Sequence, residues 1–183
     1  RLTETTFDLA NRQLGALIAV ERDQNLGVYG EGGAEIDAAF LPSLVVSLFF
    51  PKTPLHDGGV VVRGDRVQYA GCTFPTTQRG DLDRTLGMRH RAAIGLSDES
   101  DAVIIVVSEE TGVVSICHRG LIERSFDPES FKRRLGELLL LEKNEKTRTS
   151  RRRSLGGEAA DSRPGSARVG GDSEEHRSDR LAF

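Results

Sequence analysis

Apolar positions along the chain fall into short runs cut by Gly, Pro and charged residues, and the runs switch between helical and strand periods. Phe7, Ala10 and Leu14 recur at helical spacing and predict a helix over Thr3 to Gln13, with Gly15 as its stop. Ala16-Leu17-Ile18-Ala19-Val20 is continuously apolar and predicts a buried strand. Glu21-Arg22-Asp23 closes it, Asn25 to Gly33 reads as a Gly-rich loop, and Glu35 to Ala38 as a short strand. Pro42 suits a first helical turn, with Leu44, Val45, Leu48 and Phe49 as the apolar stripe, and Pro51 and Pro54 end that helix.

Gly58 to Arg63 and Arg66 to Thr73 form a predicted hairpin around Gly64-Asp65, a favoured two-residue turn. Thr76 to Leu86 is polar and reads as a loop with a helical turn, followed by a helix over Arg89 to Leu96. Val103 to Val107, Val113 to Cys117 and Leu121 to Arg124 are three successive strands. Asp127 as cap and Pro128 at the first position open a last helix carrying Phe131, Leu135, Leu138 and Leu139. The predicted fold is α/β (α+β), a central mixed, largely antiparallel sheet flanked by helices.

Composition changes this picture at one end only. Hydrophobic residues make up 37% of the 183, a low share that traces to the polar stretch beyond Lys143. The expected folded domain is therefore 1–142, with 143–183 a disordered polar tail. A net charge of −3 argues against a general nucleic-acid binder, so an anionic ligand has to be met by locally placed Arg residues. Cys72 and Cys117 lie far apart in strand-like runs with no zinc spacing, which predicts buried free thiols in a reducing cytoplasm. No apolar run reaches the length of a membrane span, and the chain begins at Arg1, as expected of a piece of a longer protein.

Candidate chemistry gathers in three stretches. His56-Asp57-Gly58-Gly59 reads either as a turn or as a ligand loop, in which Asp57 at the mouth of a buried strand accepts a hydroxyl proton or joins a Mg²⁺ shell. Arg89-His90-Arg91 opens a helix, where cations disfavour the isolated helix but suit a bound phosphate; a solvated charged face is the plainer alternative. Ser108-Glu109-Glu110 follows the most apolar strand, either as a charged turn or as a ligand loop. Phosphate-loop, dinucleotide-fold and nucleophile-elbow motifs are absent from the sequence.

Taken together, Gly15-Ala16-Leu17-Ile18, Glu21-Arg22, Thr53-Pro54-Leu55-His56-Asp57-Gly58, Ala70-Gly71-Cys72, Leu86-Gly87, Arg89-His90-Arg91-Ala92-Ala93-Ile94-Gly95 and Val107-Ser108-Glu109-Glu110-Thr111-Gly112 resemble the diadenylate cyclase (DAC, DisA_N-like) domain of the membrane-anchored CdaA type. The resemblance spans Thr3 to Glu142. It implies the DAC-domain fold and the synthesis of cyclic di-AMP from two ATP with release of two pyrophosphates. It also implies Mg²⁺ or Mn²⁺ and a homodimer in which two domains meet face to face, each holding one ATP.

By the same resemblance, Asp57, Gly58, Arg89, His90 and Arg91 are the expected catalytic residues. Leu17, Asp57, Gly58, Gly71, Cys72, Met88, Arg89, Ser108 and Glu109 are expected to bind nucleotide, and His56 and Glu110 to stand near the metal. The implied location is the cytoplasmic face of the bacterial membrane, through an N-terminal anchor outside this chain. Gly59 stands where the signature has Ala, Met88 where related chains have Thr, and Thr73 where an aromatic is usual. These departures motivate a second reading, a non-catalytic nucleotide-sensing module. A third is a scaffold whose basic stretch Arg148 to Arg153 recruits an acidic partner or anionic lipid.

Overall fold

The computed structural model of the protein describes residues 1–83 and 86–140. In chain order these form α1 (Leu2–Asn11), β1 (Ala16–Val20), α2 (Gly27–Gly30), β2 (Ala34–Ala39), α3 (Pro42–Leu48), β3 (Gly59–Arg63), β4 (Arg66–Cys72), α4 (Met88–Glu99), β5 (Val103–Val107), β6 (Val114–His118) and β7 (Leu121–Arg124). A last helix, α5, runs over 128–140. The expected domain end at 142 and the tail 143–183 lie outside the described residues.

One seven-stranded sheet of order β2-β4-β3-β1-β5-β6-β7 carries the fold. Only β1 and β3 pair in parallel, so the sheet is mixed and largely antiparallel, as the strand pattern predicts. The continuous apolar runs are explained by burial on both faces. Ala16, Ile18, Val20, Val103, Ile105 and Val107 enter one core layer, shared with α1, α3 and α5. Leu17, Ala19, Ile104 and Val106 enter the opposite layer, under α4. Phe131 of α5 is fully buried and meets Phe7 of α1 edge-on, with centroids 5.7 Å apart. Such a pair adds about 0.5–1.5 kcal/mol to the burial of its area.

Register decides where the sheet ends meet. Ile18 pairs with Val60, Ala16 with Val107, and Gly59 with Cys72. The starts of β1 and β3 and the ends of β4 and β5 therefore share one end of the sheet.

Local differences from the predicted elements have local causes. The 25–33 loop contains the single turn α2. The described part of the next polar stretch, 76–83, has no helix. Helix α4 runs past Leu96 through Ser97, Asp98 and Glu99, although Ser and Asp are weaker helix formers by propensity. Ser97 Oγ donates to Ile94 O at 2.9 Å and Ser100 Oγ to Leu96 O at 2.7 Å, so both buried hydroxyls are satisfied within the turn. Cys72 and Cys117 are buried free thiols, as expected. Among the described residues no helix is long and apolar enough to cross a membrane.

Gly95 sets how closely α4 approaches the segment after β4. A Cβ there would overlap the carbonyl oxygen of Pro75 and lie 2.8 Å from Thr77 N. Helix propensity alone would make Gly95→Ala stabilising by up to about 1 kcal/mol. Overpacking against fixed backbone costs roughly 1–3 kcal/mol and outweighs it. Gly95→Ala is expected to lower the urea midpoint of unfolding, read by circular dichroism.

Candidate active site

Two cavities open at the shared end of the sheet. The larger, about 830 Å³, lies between the start of α4, the loop after β5 and the 49–57 segment. The smaller, about 240 Å³, lies between Leu17, the end of β4 and the side of α4. Asp57, Met88 and Arg89 border both and form the junction.

Backbone geometry explains why the ligand loop sits so close to the sheet. Gly58 has φ +153, and a Cβ on it would stand 2.6 Å from the Gly71 carbonyl carbon. Two glycines therefore let the Asp57 loop lie directly on the end of β4. Asp57 itself is exposed at the mouth. His56 is half-buried, and its Nδ1 lies 2.6 Å from Thr53 O. With Nδ1–H donating to that carbonyl, Nε2 is left as the free lone pair.

The Arg-His-Arg triplet divides, because consecutive helical residues point about 100° apart. Arg89 enters the junction. Its Nη1 donates to Glu109 Oε2 at 2.5 Å, and its Nη2 reaches His56 O at 3.5 Å. Gly15 makes room for this pair, since a Cβ there would lie 2.7 Å from Arg89 Nη1 and 2.8 Å from Glu109 Oε2. Glu109 is 61% exposed, so the pair is worth at most about 1 kcal/mol and yields readily to a better anion. His90 is only 6% exposed, and its Nε2 has no partner among the described residues. Burial, and then the charge of Arg124, push its pKa below the ordinary 6.5, so the ring is neutral. Arg91 borders neither cavity.

Ser108, Glu109 and Glu110 form a turn after β5 and all line the large cavity. Ser108 Oγ accepts from Thr111 N at 3.3 Å, leaving its hydroxyl hydrogen free to donate. Helix α4 starts at Met88 behind Gly87, whose cap position offers no side chain to its first N–H groups. Such donors and the helix dipole suit an anion. Leu17 and Cys72 line the small cavity, and burial pushes the Cys72 thiol up to about 11, so it acts as an apolar wall. Gly71, with φ +68, supports that wall from behind Gly58 rather than lining it.

Three residues at the cavities have no site role in the sequence reading: Gly15 reads as a helix stop, Arg124 as a strand end, and Phe74 lies just beyond a predicted strand. Phe74 lines the small cavity and Arg124 the large one. No periodicity marks them, because each acts through a neighbour distant in sequence.

A family model described as "DisA bacterial checkpoint controller nucleotide-binding" (DAC) matches residues 3–122. The chain belongs to the DAC family. Its DAC domain is 38% identical over 134 residues to the cyclic di-AMP synthase CdaA of Bacillus subtilis (strain 168), covering 73% of this chain and 49% of that protein. It is 39% identical over 128 residues to the diadenylate cyclase of Listeria monocytogenes serotype 1/2a (strain 10403S), covering 70% and 47%. The chain thus spans about half the length of these curated relatives. A crystal structure of a double mutant of DacA from Staphylococcus aureus superposes with a TM-score of 0.73 at 34% identity, covering 76% of this chain and 93% of that one.

The buried neutral imidazole of this DAC domain has a pH signature. In the unfolded chain His90 gains its proton near 6.5, whereas the folded state resists it to lower pH. The unfolded state binds more protons below about pH 6.5, so stability falls as pH falls through that window. His90→Asn is expected to shrink the difference between urea midpoints at pH 7.5 and pH 5.5. Glu109→Gln, by contrast, should change unfolding stability by less than about 1 kcal/mol, because only a solvent-screened pair is lost.

Proposed function

We propose that this DAC domain condenses two ATP molecules into cyclic di-AMP, releasing two pyrophosphates, in a face-to-face pair of domains. The observation that carries this reading is the junction: one carboxylate, Asp57, and one guanidinium, Arg89, stand between a mainly apolar cavity and one of mixed lining that gathers the charged side chains. The small cavity suits the base and ribose, walled by Leu17 and Cys72. The large one suits a triphosphate, with Arg89, the free N–H groups of α4 and the Ser108 hydroxyl as donors. The names of the relatives, a cyclic di-AMP synthase and a diadenylate cyclase, support the same chemistry.

The reaction is a phosphoryl transfer, so positioning and neutralisation of charge supply most of the catalysis. The 3′-oxygen of one ATP bonds to the α-phosphorus of the other, the bond to the bridging oxygen breaks, and pyrophosphate leaves with its electron pair. Asp57 orients the 3′-hydroxyl and accepts its proton. Arg89 exchanges the weak Glu109 carboxylate for phosphate oxygens, a stronger bidentate contact. His90, being neutral, offers a hydrogen-bonding nitrogen rather than a charge. Arg91, away from both cavities, acts on phosphate only across a contact with the second domain. Each junction serves one nucleotide, so two copies must meet; the exposed Asp57 and Met88 at the mouth suit such a meeting.

A divalent cation, Mg²⁺ or Mn²⁺, fits these residues as a shared site. Among the described residues no group of three or more His, Cys, Asp and Glu converges. His56, with Nδ1 engaged by Thr53 O and Nε2 free, has the orientation of a ligating imidazole, and Glu110 borders the same cavity. His56 and Glu110 would hold the ion, with phosphate oxygens completing its shell and the metal neutralising charge on them. In the parent protein an N-terminal anchor is proposed to hold the domain at the cytoplasmic face of the membrane.

Incubation with ATP and Mn²⁺ or Mg²⁺ is expected to yield cyclic di-AMP at a rate that rises more steeply than linearly with protein concentration. Asp57→Asn keeps the shape and removes the charge, so product should fall by about 10²–10⁴-fold with the circular dichroism spectrum unchanged. Undiminished product from that variant removes Asp57 from the mechanism. ATP binding without product, at concentrations where dimers form, identifies a sensor module instead.

A further inference from the structure

Beneath the start of α4 two buried polar atoms have nothing to bond to. Among the described residues, His90 Nε2 and Ser115 Oγ are both shut away without a hydrogen-bond partner. His90 is 6% exposed and Ser115 is fully buried. Strand register puts Ser115 on the α4 side of the sheet. Its Cα partners are Val106 of β5, which enters the α4 layer, and Arg124 of β7. Residues paired across antiparallel strands stand on the same face, so Arg124 faces α4 as well. Cys117 and Ile122, the next pair on that face, belong to the same layer. Arg124 borders the large cavity together with His90, and its charge acts on that ring. Its ion pair with Asp83, at 3.8 Å and partly exposed, holds it only loosely. A ring nitrogen, a hydroxyl and a guanidinium therefore converge behind the cavity where α4 begins.

A buried polar atom without a partner is costly, and one buried water shared by about three polar groups removes that cost. The guanidinium sets the direction of such a bridge, because it only donates. A water that accepts from Arg124 turns a hydrogen toward His90 Nε2, and that nitrogen must then carry no proton of its own. We infer that Ser115 and Arg124 are positioning residues for His90: through one bridging water they hold the imidazole proton on Nδ1, so that the ring presents an N–H to an anion in the large cavity. The Ser115 hydroxyl fixes the place of the water and Arg124 its orientation. With the proton on Nε2 instead, Nδ1 turns a lone pair on the phosphate oxygens and repels them. The effect on binding rests on the reading of the large cavity as the triphosphate site; the place of the proton does not.

The test uses the full chain labelled with ¹⁵N and a long-range ¹H–¹⁵N correlation spectrum at neutral pH, which tells an Nδ1–H ring from an Nε2–H ring. His90 is the ring whose signals vanish in His90→Asn, and in the wild type it is expected to carry its proton on Nδ1. Ser115→Ala is expected to move the proton toward Nε2. The same variant should weaken magnesium tripolyphosphate, titrated by calorimetry, roughly three- to tenfold, since a hydrogen bond to a charged group is lost in part of the molecules. Arg124→Met should shift the proton likewise and weaken tripolyphosphate at least as much. Ser115→Thr keeps the hydroxyl, and with it both the proton's place and the affinity. Melting temperature adds a sign: deleting an isolated buried hydroxyl raises it, whereas deleting one end of a bridge strands His90 Nε2 and lowers it. Ser115→Ala is expected to lower it.

A wild-type His90 protonated on Nε2, a Ser115→Ala ring unchanged from wild type, or a raised melting temperature in that variant overturns the inference and leaves the triphosphate reading standing. So does an Arg124→Met variant that loses affinity with the proton still on Nδ1, because Arg124 then acts on the anion directly. A wild-type chain that takes up no tripolyphosphate overturns the triphosphate reading, and the role inferred for the ring with it. Should Ser115→Ala fail to fold, Ser115→Thr and Arg124→Met decide.

Discussion

Everything at the candidate site hangs on strand register at one end of the sheet. Pairing Ala16 with Val107, Ile18 with Val60 and Gly59 with Cys72 brings four strand ends together. Helix α4 then points its uncapped start at the same place. A one-residue slip in β1 would turn Leu17 and Ala19 out of the α4 layer and exchange the two cores. Such a slip is heavily penalised because β1 and β5 are buried on both faces, and full burial of a Val, Leu or Ile side chain is worth about 1.5–3 kcal/mol each. The site inherits its rigidity from this double burial rather than from its own contacts.

Those contacts are weak by comparison, and their weakness suits binding. The Arg89–Glu109 pair faces solvent, Asp57 is exposed, and the start of α4 carries no cap. The Arg89 guanidinium and the first N–H groups of α4 are held in place but left with capacity for an anionic partner. The chain's net charge is negative, so in the proposed function any attraction for a polyphosphate comes from this local arrangement of a guanidinium, N–H groups and a hydroxyl. His90 adds no charge, since burial keeps it neutral beside Arg124.

The difference between a mainly apolar cavity and one of mixed lining follows from the two core layers. Leu17, Cys72, Phe74 and Ala92 belong to the layer beneath α4, so the cavity at its edge is walled by apolar groups. The neighbouring cavity is lined by loops and a helix start, where backbone polar groups and charged side chains collect. The glycines at 15, 58 and 59 are what keep these walls close. Each marks a point where another residue's atoms fill the space of a side chain.

The sequence by itself determined the strands, most helix starts and the class of sheet, because hydrophobic period and Gly or Pro punctuation act over a few neighbouring residues. It also marked Asp57, Arg89 and the Ser108–Glu110 loop as candidates, since charged groups beside apolar runs stand out locally. It left Arg89, His90 and Arg91 as one unit, whereas helical rotation sends them to the junction, the interior and another face. It gave no sign that Gly15 makes room for Arg89, or that Phe74 fills the place of a side chain at 59. Only the tertiary structure decided these, because pairings between residues 15 to 94 positions apart in sequence arise from register and close packing, and neither leaves a periodic trace in the chain.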